Sequence, residues 1–107
     1  MSTRYQTEPA LPAVQALPGA TLLEFGNDWC GYCQAAAPHI SAALGKHPQV
    51  RHLKIADGSG QPLGRHYRVK LWPTLVLLLD GEEQARLVRP QAADAIEPAL
   101  QALSKST

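Results

Sequence analysis

Two cysteines, Cys30 and Cys33, stand where a short apolar segment gives way to a helical pattern, and the 107-residue chain has no others. Small domains that rely on disulfide frameworks need several bridges, so a single pair is too few for such a scaffold. A pair separated by two residues is instead typical of metal binding or of redox chemistry. The chain therefore has to fold around a hydrophobic core, and this pair is the first candidate for a functional site.

Composition supports one domain spanning residues 1–107, with residues 1–20 as a proline-rich lead-in. Hydrophobic residues make up 45% of the chain and charged residues 18%, which is enough to build a core. The formal net charge of +1 provides no field for holding a phosphate backbone, so nucleic acid is not expected as a partner. The longest apolar run, residues 75–79, is too short to cross a membrane. No signal peptide is recognisable, so a cytoplasmic location is expected.

Apolar periodicity and turn residues predict alternating helices and strands. The order predicts an α/β fold with a mixed sheet, parallel at first and closed by an antiparallel pair, and with helices on both faces. Pro38 lies inside one predicted helix, and Asp80-Gly81 is a strong hairpin signal. The predicted helices are 10–17, 30–46, 63–69 and 91–103, and the predicted strands are 21–25, 50–56, 75–79 and 82–88.

The position of the cysteines says more than their spacing. They fall at the start of the helix predicted from residue 30, where backbone N–H groups lack partners and the helix dipole is positive. A thiolate is stabilised there, so Cys30 is expected to be the nucleophile. Cys33 lies three positions further on the same helical face, from which it can reach Cys30 and resolve a mixed disulfide.

These residues resemble a known family. The segment Trp29-Cys30-Gly31-Tyr32-Cys33 is similar to the Trp-Cys-Gly-Pro-Cys active site of thioredoxin-fold dithiol oxidoreductases. Pro38 matches the proline of their active-site helix, Trp72-Pro73-Thr74 their cis-proline segment, and Asp80-Gly81 their hairpin turn. The order of elements agrees over residues 21–103. The resemblance implies a thioredoxin fold in which the cis-proline loop lies opposite the start of the cysteine helix.

The resemblance also implies roles by position. Pro73 is expected to be cis and to turn the Trp72 backbone toward the cysteines, where it could pair with an extended client peptide. Glu24, six residues before Cys30, corresponds to the family's buried acid and is expected to accept the proton of Cys33. The alternative for Glu24 is a solvated carboxylate at the end of a strand.

A client-binding surface is expected around the cysteines. It would contain Trp29, Gly31 and Tyr32, together with the Trp72 loop, and a client protein would cover it. Arg89 stands where the family usually has a glycine that opens the peptide groove. Its side chain would narrow the groove and favour acidic clients, unless it simply points to solvent.

Three further positions depart from the family pattern. Tyr32 replaces the usual proline, and the Gly-Tyr pair also occurs in periplasmic disulfide isomerases, so the redox potential stays open. Gly26 stands where thioredoxins usually have a tryptophan. Leu53 is assigned to the position where many of them have a lysine near the buried acid.

The expected activity is reduction of disulfides in client proteins through a Cys30/Cys33 dithiol–disulfide cycle. The cycle would need no metal or organic cofactor, and an upstream reductase would have to restore the dithiol. A redox-sensing or client-binding module with little turnover is the alternative from a different functional class.

A structural zinc site is a third alternative. Cys30, Cys33, His47 and His52 satisfy the loose spacing of a two-cysteine, two-histidine finger. Such a finger needs both histidines on one helix, however, and Pro48 would break any helix that joined them. Apart from this alternative, the histidines have no predicted role.

Overall fold

The computed structural model describes residues 4–105, which form four helices and four strands. In chain order these elements are α1 (Leu11–Gln15), β1 (Ala20–Gly26), α2 (Gly31–Leu44), β2 (Arg51–Ala56), α3 (Pro62–His66), β3 (Thr74–Leu79), β4 (Glu82–Val88) and α4 (Ala93–Lys105). All eight predicted elements are present, with ends that differ by a few residues.

The four strands form one mixed sheet in the order β2-β1-β3-β4. β1 and β2 are parallel, with Phe25 opposite Ile55, whereas β3 is antiparallel to both β1 and β4. Phe25, near the end of β1, is paired with Thr74 at the start of β3. The end of β1, the start of β3 and the start of α2 therefore meet at one edge of the sheet.

Side-chain alternation along β1 divides the core into two layers. On one face Leu22 packs with residues of α2 and α4, and on the other Leu23 packs with residues of α1 and α3. Both leucines are fully buried, as expected for a central strand covered by helices on both faces. Glu24 follows Leu22 by two positions and so faces the side of the sheet on which α2 lies.

The predicted α/β fold is confirmed: the sheet is mixed, it begins with a parallel pair and closes with an antiparallel pair, and helices cover both faces. Only β1 and β2 are parallel, because β3 begins at the edge where β1 ends and runs back along it. The hairpin prediction is confirmed: Asp80 and Gly81 have φ values of 51° and 82°, the conformation of a two-residue turn.

Part of the predicted lead-in adds to the sheet. Gln6 forms an isolated parallel bridge with Ile55 on β2, through hydrogen bonds of 2.8 Å to Lys54 O and from Ala56 N. The expected short helix follows as α1. Within residues 4–105, no helix has the length and apolar character needed to span a membrane.

Candidate active site

Cys30 is the N-cap of α2 and Cys33 lies in the first turn of that helix. The Cys33 backbone N–H donates a hydrogen bond to the Cys30 sulfur, with a distance of 3.3 Å between N and Sγ. A sulfur at this position satisfies one of the helix's unpaired donors, and a negative charge on it is stabilised by the helix dipole. Both cysteines are free and buried, Cys33 more completely than Cys30.

The two thiols differ in their surroundings. Burial, followed by the hydrogen bond with Cys30, raises the pKa of the Cys33 thiol to about 11. Hydrogen bonds with the Asn27 backbone and with the Tyr5 hydroxyl act in the opposite direction. Cys33 is therefore protonated at neutral pH and has to lose its proton before it can attack a disulfide.

The predicted cis proline is confirmed at the Trp72–Pro73 peptide bond. Pro73 directly precedes β3 and is buried. Trp72 is fixed on the other side of this bond, where its indole Nε1 donates a 2.9 Å hydrogen bond to Asp57 Oδ2. This loop and the start of α2 lie at the same edge of the sheet.

Arg89 does not point to solvent. Its Nε donates a 2.8 Å hydrogen bond to the Trp72 carbonyl oxygen, and its guanidinium lies 3.7 Å from the centre of the Tyr32 ring. The Arg89 backbone adopts φ = 49°, a region that favours glycine. A single side chain thus connects the cysteine helix with the cis-proline loop, across the groove that it was expected to narrow.

Aromatic side chains surround the cysteines. Trp29 and Tyr32 are 73% and 60% exposed, unusually high values for such large apolar groups. Trp29 meets Trp72 edge to face, with ring centres 5.4 Å apart. The three rings form a surface beside the two thiols.

Glu24 is only 1% exposed, so the alternative of a solvated carboxylate is wrong. Both of its oxygens are engaged: Oε2 accepts a hydrogen bond from the Tyr5 hydroxyl, and Oε1 lies 2.8 Å from His52 Nε2. The side chain that β2 directs at the buried acid is that of His52. Leu53 instead packs against the core on the opposite side of the sheet, so its assignment to that position is wrong.

Comparison with known proteins identifies this arrangement. The family model described as Thioredoxin matches residues 11–102. The chain belongs to the thioredoxin family.

Thioredoxins and their structures are also among its most similar relatives. Thioredoxin 2 from Pseudomonas aeruginosa PAO1, in its reduced form, is 49% identical, covers 100% of both chains and has a TM-score of 0.88. The thioredoxin of Chlamydia trachomatis is 33% identical over 78 residues, which are 73% of this chain and 76% of that one. Chicken protein disulfide-isomerase A3 is 35% identical over 80 residues, 74% of this chain but 16% of the isomerase.

Membership of the thioredoxin family makes the chain a thiol–disulfide oxidoreductase whose redox centre is a Cys-x-x-Cys dithiol. The predicted family and fold are thereby confirmed. The fold brings five of the predicted site residues to one edge of the sheet: Cys30, Cys33, Trp72, Pro73 and Arg89. Trp29, Gly31 and Tyr32 extend that edge along the start of α2, and Glu24 lies buried nearby.

No finding favours a zinc site. His52 contacts Glu24, and His47 is buried with its Nδ1 2.9 Å from Ser104 Oγ and its Nε2 2.6 Å from Glu97 Oε1. Across residues 4–105, no group of three or more histidine, cysteine or acidic side chains is placed to hold a metal ion. Both histidines therefore belong to other polar contacts of this thioredoxin-like domain.

Tyr5 and His52 are the site residues that sequence reasoning missed. Tyr5 lies in the lead-in, and its contact with Glu24 spans 19 positions, so no local pattern indicates it. One signal was available, since Gly26 stands where thioredoxins usually have a large side chain. The space left there is filled in part by Tyr5, whose hydroxyl would lie 2.7 Å from a Cβ atom at position 26.

Proposed function

We propose that this protein reduces disulfide bonds in client proteins by a Cys30/Cys33 dithiol–disulfide cycle. The observation that carries the proposal is the Cys30 sulfur at the N-cap of α2, where it accepts a hydrogen bond from the Cys33 N–H. Cys30 is 8% exposed, enough to meet a client yet shielded from bulk water. A nucleophilic thiolate needs this combination of a positive helix end and limited access.

The proposed cycle has two exchange steps. In the first, the Cys30 thiolate attacks a client disulfide, forms a mixed disulfide and releases one client thiol. In the second, Cys33 attacks Cys30 Sγ, so that the Cys30–Cys33 disulfide forms and the second client sulfur leaves with the electron pair. Glu24, buried near this end of α2, serves as the final acceptor of the Cys33 proton.

The client-binding surface is proposed to consist of the residues around the two thiols. Trp29 and Tyr32 supply exposed aromatic area, and Gly31 leaves open space at the helix start, because a Cβ atom there would meet no neighbouring side chain within 4 Å. Pro73 and Trp72 supply the backbone for an extended client segment. Arg89 already occupies the Trp72 carbonyl, so a client has to displace it or pair with it.

The charge of Arg89 gives this surface a preference. When the client backbone donates a hydrogen bond to the Trp72 carbonyl oxygen, the Arg89 guanidinium is released from that oxygen and can pair with a client carboxylate. We therefore propose that clients with acidic residues next to the disulfide are favoured. No metal or organic cofactor enters the cycle, because the electrons are held by the dithiol itself.

Each turnover leaves the protein oxidised, so the proposal requires an upstream reductase that restores the dithiol. It also implies a reducing compartment, which we propose to be the cytoplasm. The same dithiol could instead isomerise or form disulfides in client proteins. Measuring the reduction potential of the Cys30/Cys33 pair distinguishes these activities from reduction. A potential near about −270 mV favours a reductase, and one near about −180 mV favours an isomerase.

Reduction of insulin disulfides by dithiothreitol or by an added reductase tests the activity. The wild-type protein should accelerate the reaction, and Cys30→Ser should abolish the acceleration. Cys33→Ser should retain the first exchange and accumulate the mixed disulfide. Little acceleration by the wild-type protein would instead favour a redox-sensing or client-binding module.

A further inference from the structure

Tyr5 is held at the redox centre by the lead-in segment. Its backbone N–H donates a 3.0 Å hydrogen bond to Asp28 Oδ1, and the following residue, Gln6, is bridged to β2. The Lys54 ammonium lies 4.5 Å from the centre of the Tyr5 ring. The ring is therefore fixed from the loop before α2 and from β2.

The Tyr5 hydroxyl lies between the resolving thiol and the buried carboxylate. It donates a hydrogen bond to Glu24 Oε2, and it lies with the Cys33 sulfur around the same small space beside Gly26. Gly26 provides the room for this arrangement, because a Cβ atom there would lie 2.5 Å from Cys33 Sγ and 2.7 Å from the Tyr5 hydroxyl oxygen. The absence of a side chain at position 26 lets the two groups meet.

The proposed cycle requires Cys33 to lose a proton in a buried place. Cys33 is 2% exposed and Glu24 is 1% exposed, so bulk water has poor access to either. The Tyr5 hydroxyl is placed between the sulfur and the carboxylate, to which it is hydrogen-bonded. A hydroxyl group suits this position because it can donate one proton while it accepts another.

We propose that Tyr5 is a catalytic residue of the second exchange step and that its hydroxyl passes the proton of the Cys33 thiol to Glu24. The inference rests on the proposed function and adds a residue to its chemistry. As the Cys33 S–H bond breaks, that proton joins the Tyr5 oxygen and the original hydroxyl proton moves to Glu24 Oε2. Cys33 then forms the disulfide with Cys30, and the client leaves as a thiolate that takes a proton from solvent.

The surroundings of Tyr5 favour a coupled transfer over a free tyrosinate. Burial, and then the charge of Glu24, raise the pKa of Tyr5 above its usual value, so the hydroxyl does not ionise on its own. His52 contacts the other carboxylate oxygen at 2.8 Å, and its side chain is 22% exposed. His52 therefore connects Glu24 with the solvent, through which the proton leaves after each cycle.

The reagent dithiobis-nitrobenzoate tests this inference, because its two thionitrobenzoate groups report the two exchange steps separately. With reduced protein in excess, attack by Cys30 releases the first group and attack by Cys33 releases the second. In Tyr5→Phe, the first phase should keep its rate and the second should slow by about 100-fold at pH 7, the lower end of general acid–base effects. The matched control is Tyr67→Phe, which removes a hydroxyl from the opposite core and should leave both phases unchanged.

The pH profile separates proton transfer from a merely structural role. In Tyr5→Phe, hydroxide has to remove the Cys33 proton in place of the Tyr5 hydroxyl, so the rate of the second phase should rise about tenfold per pH unit. The rate of the second phase in the wild-type protein should depend less steeply on pH. The titrating or charged groups that face Tyr5 are Glu24, Cys33, His52, Lys54 and Asp28, and both variants retain them all.

A second variant keeps the test decisive if Tyr5→Phe lowers the stability of the fold. Glu24→Gln retains the size of the acceptor and removes its basicity, so it should slow the same second phase. The role of Tyr5 would be overturned if Glu24→Gln slowed the second phase while Tyr5→Phe left the rate of that phase within twofold of wild type. Equal slowing of both phases in Tyr5→Phe would also overturn it. Failure of the proposed function would show differently, as insulin reduction that survives Cys30→Ser.

Discussion

Substitution of Gly26 by alanine should damage the redox centre through crowding. An ideal Cβ at this position lies 2.5 Å from Cys33 Sγ and 2.7 Å from the Tyr5 hydroxyl oxygen. Non-bonded heavy atoms prefer separations of about 3.5–4.0 Å, so the sulfur or the strand has to move by about 1 Å. The strand is poorly placed to move, since Gly26 pairs with Ala56 in the ladder and its carbonyl accepts a 3.0 Å hydrogen bond from Asp57 N.

The magnitude follows from the cost of overpacking. Extra atoms in a closely packed interior typically cost about 1–3 kcal/mol. For a domain of this size, each kcal/mol lowers Tm by about 4–8 °C. A displacement of about 1 Å at reacting atoms can also cost about 100-fold in rate, so attack by Cys33 should slow more than attack by Cys30.

Urea unfolding and thermal melting of Gly26→Ala measure the loss of stability, and insulin reduction measures the loss of activity. Gly45→Ala is the matched control, because Gly45 has helical φ and ψ of −59° and −23° and only ordinary 3.5 Å contacts around the added carbon. That change should leave stability equal or higher by about 0.4–1 kcal/mol. A Gly26→Ala protein with wild-type stability and activity would refute the argument from close approach.

Three more predictions follow from the polar contacts. His47→Ala removes a buried ring with two hydrogen bonds and should lower the free energy of unfolding by about 1–3 kcal/mol in urea titrations, with no comparable loss of redox activity. Folding raises the pKa of Cys33 from 9.0 to about 11, so the stability linked to this thiol is fully present below pH 9 and is lost as the pH rises through 11. The free energy of unfolding should fall by up to about 1.4 kcal/mol per pH unit in that range. Cys33→Ser should remove this part of the pH dependence, and an unchanged pH dependence in that variant would contradict the prediction. Arg89→Gly suits the φ of 49° and should lower kcat/KM for an acidic peptide disulfide by up to about fivefold relative to a neutral one. Arg86→Gly, on β4 three residues before Arg89, should not change that ratio.

The redox pair and its partner loop were predictable because their signals are local. A Cys-x-x-Cys pair at a strand-to-helix junction and a Trp-Pro-Thr segment before an apolar strand each lie within a few residues. Their spatial meeting depends only on the order of elements. The structure accordingly places Cys30, Cys33 and the cis Pro73 as the sequence indicated.

The residues beneath the pair were not predictable in the same way. His52 and Leu53 are neighbours on a strand, where a shift of one position moves a side chain to the opposite face of the sheet. A correct element assignment therefore still chose the wrong residue. Tyr5 reaches Glu24 across 19 positions and from outside any regular element, so only the tertiary arrangement reveals it.

The direction of β3 relative to β1 could not be predicted from the local sequence pattern either. A fully apolar run is compatible with a parallel or an antiparallel central strand. The direction of β3 depends on the end of the sheet at which the chain re-enters it. The loop before β3 brings the chain back at the end where β1 finishes, so Thr74 lies opposite Phe25 and β3 runs antiparallel to β1.

The bridge between Gln6 and β2 has a practical consequence for anyone who handles the protein. Backbone hydrogen bonds to Asp28, Lys54 and Ala56 hold the segment that brings Tyr5 beneath the thiols. A purification tag or fusion partner joined ahead of Arg4 adjoins this segment, and it changes the exchange rates if it weakens these hydrogen bonds. Comparisons between preparations should therefore use the same leading residues, with any tag removed before the rates are measured.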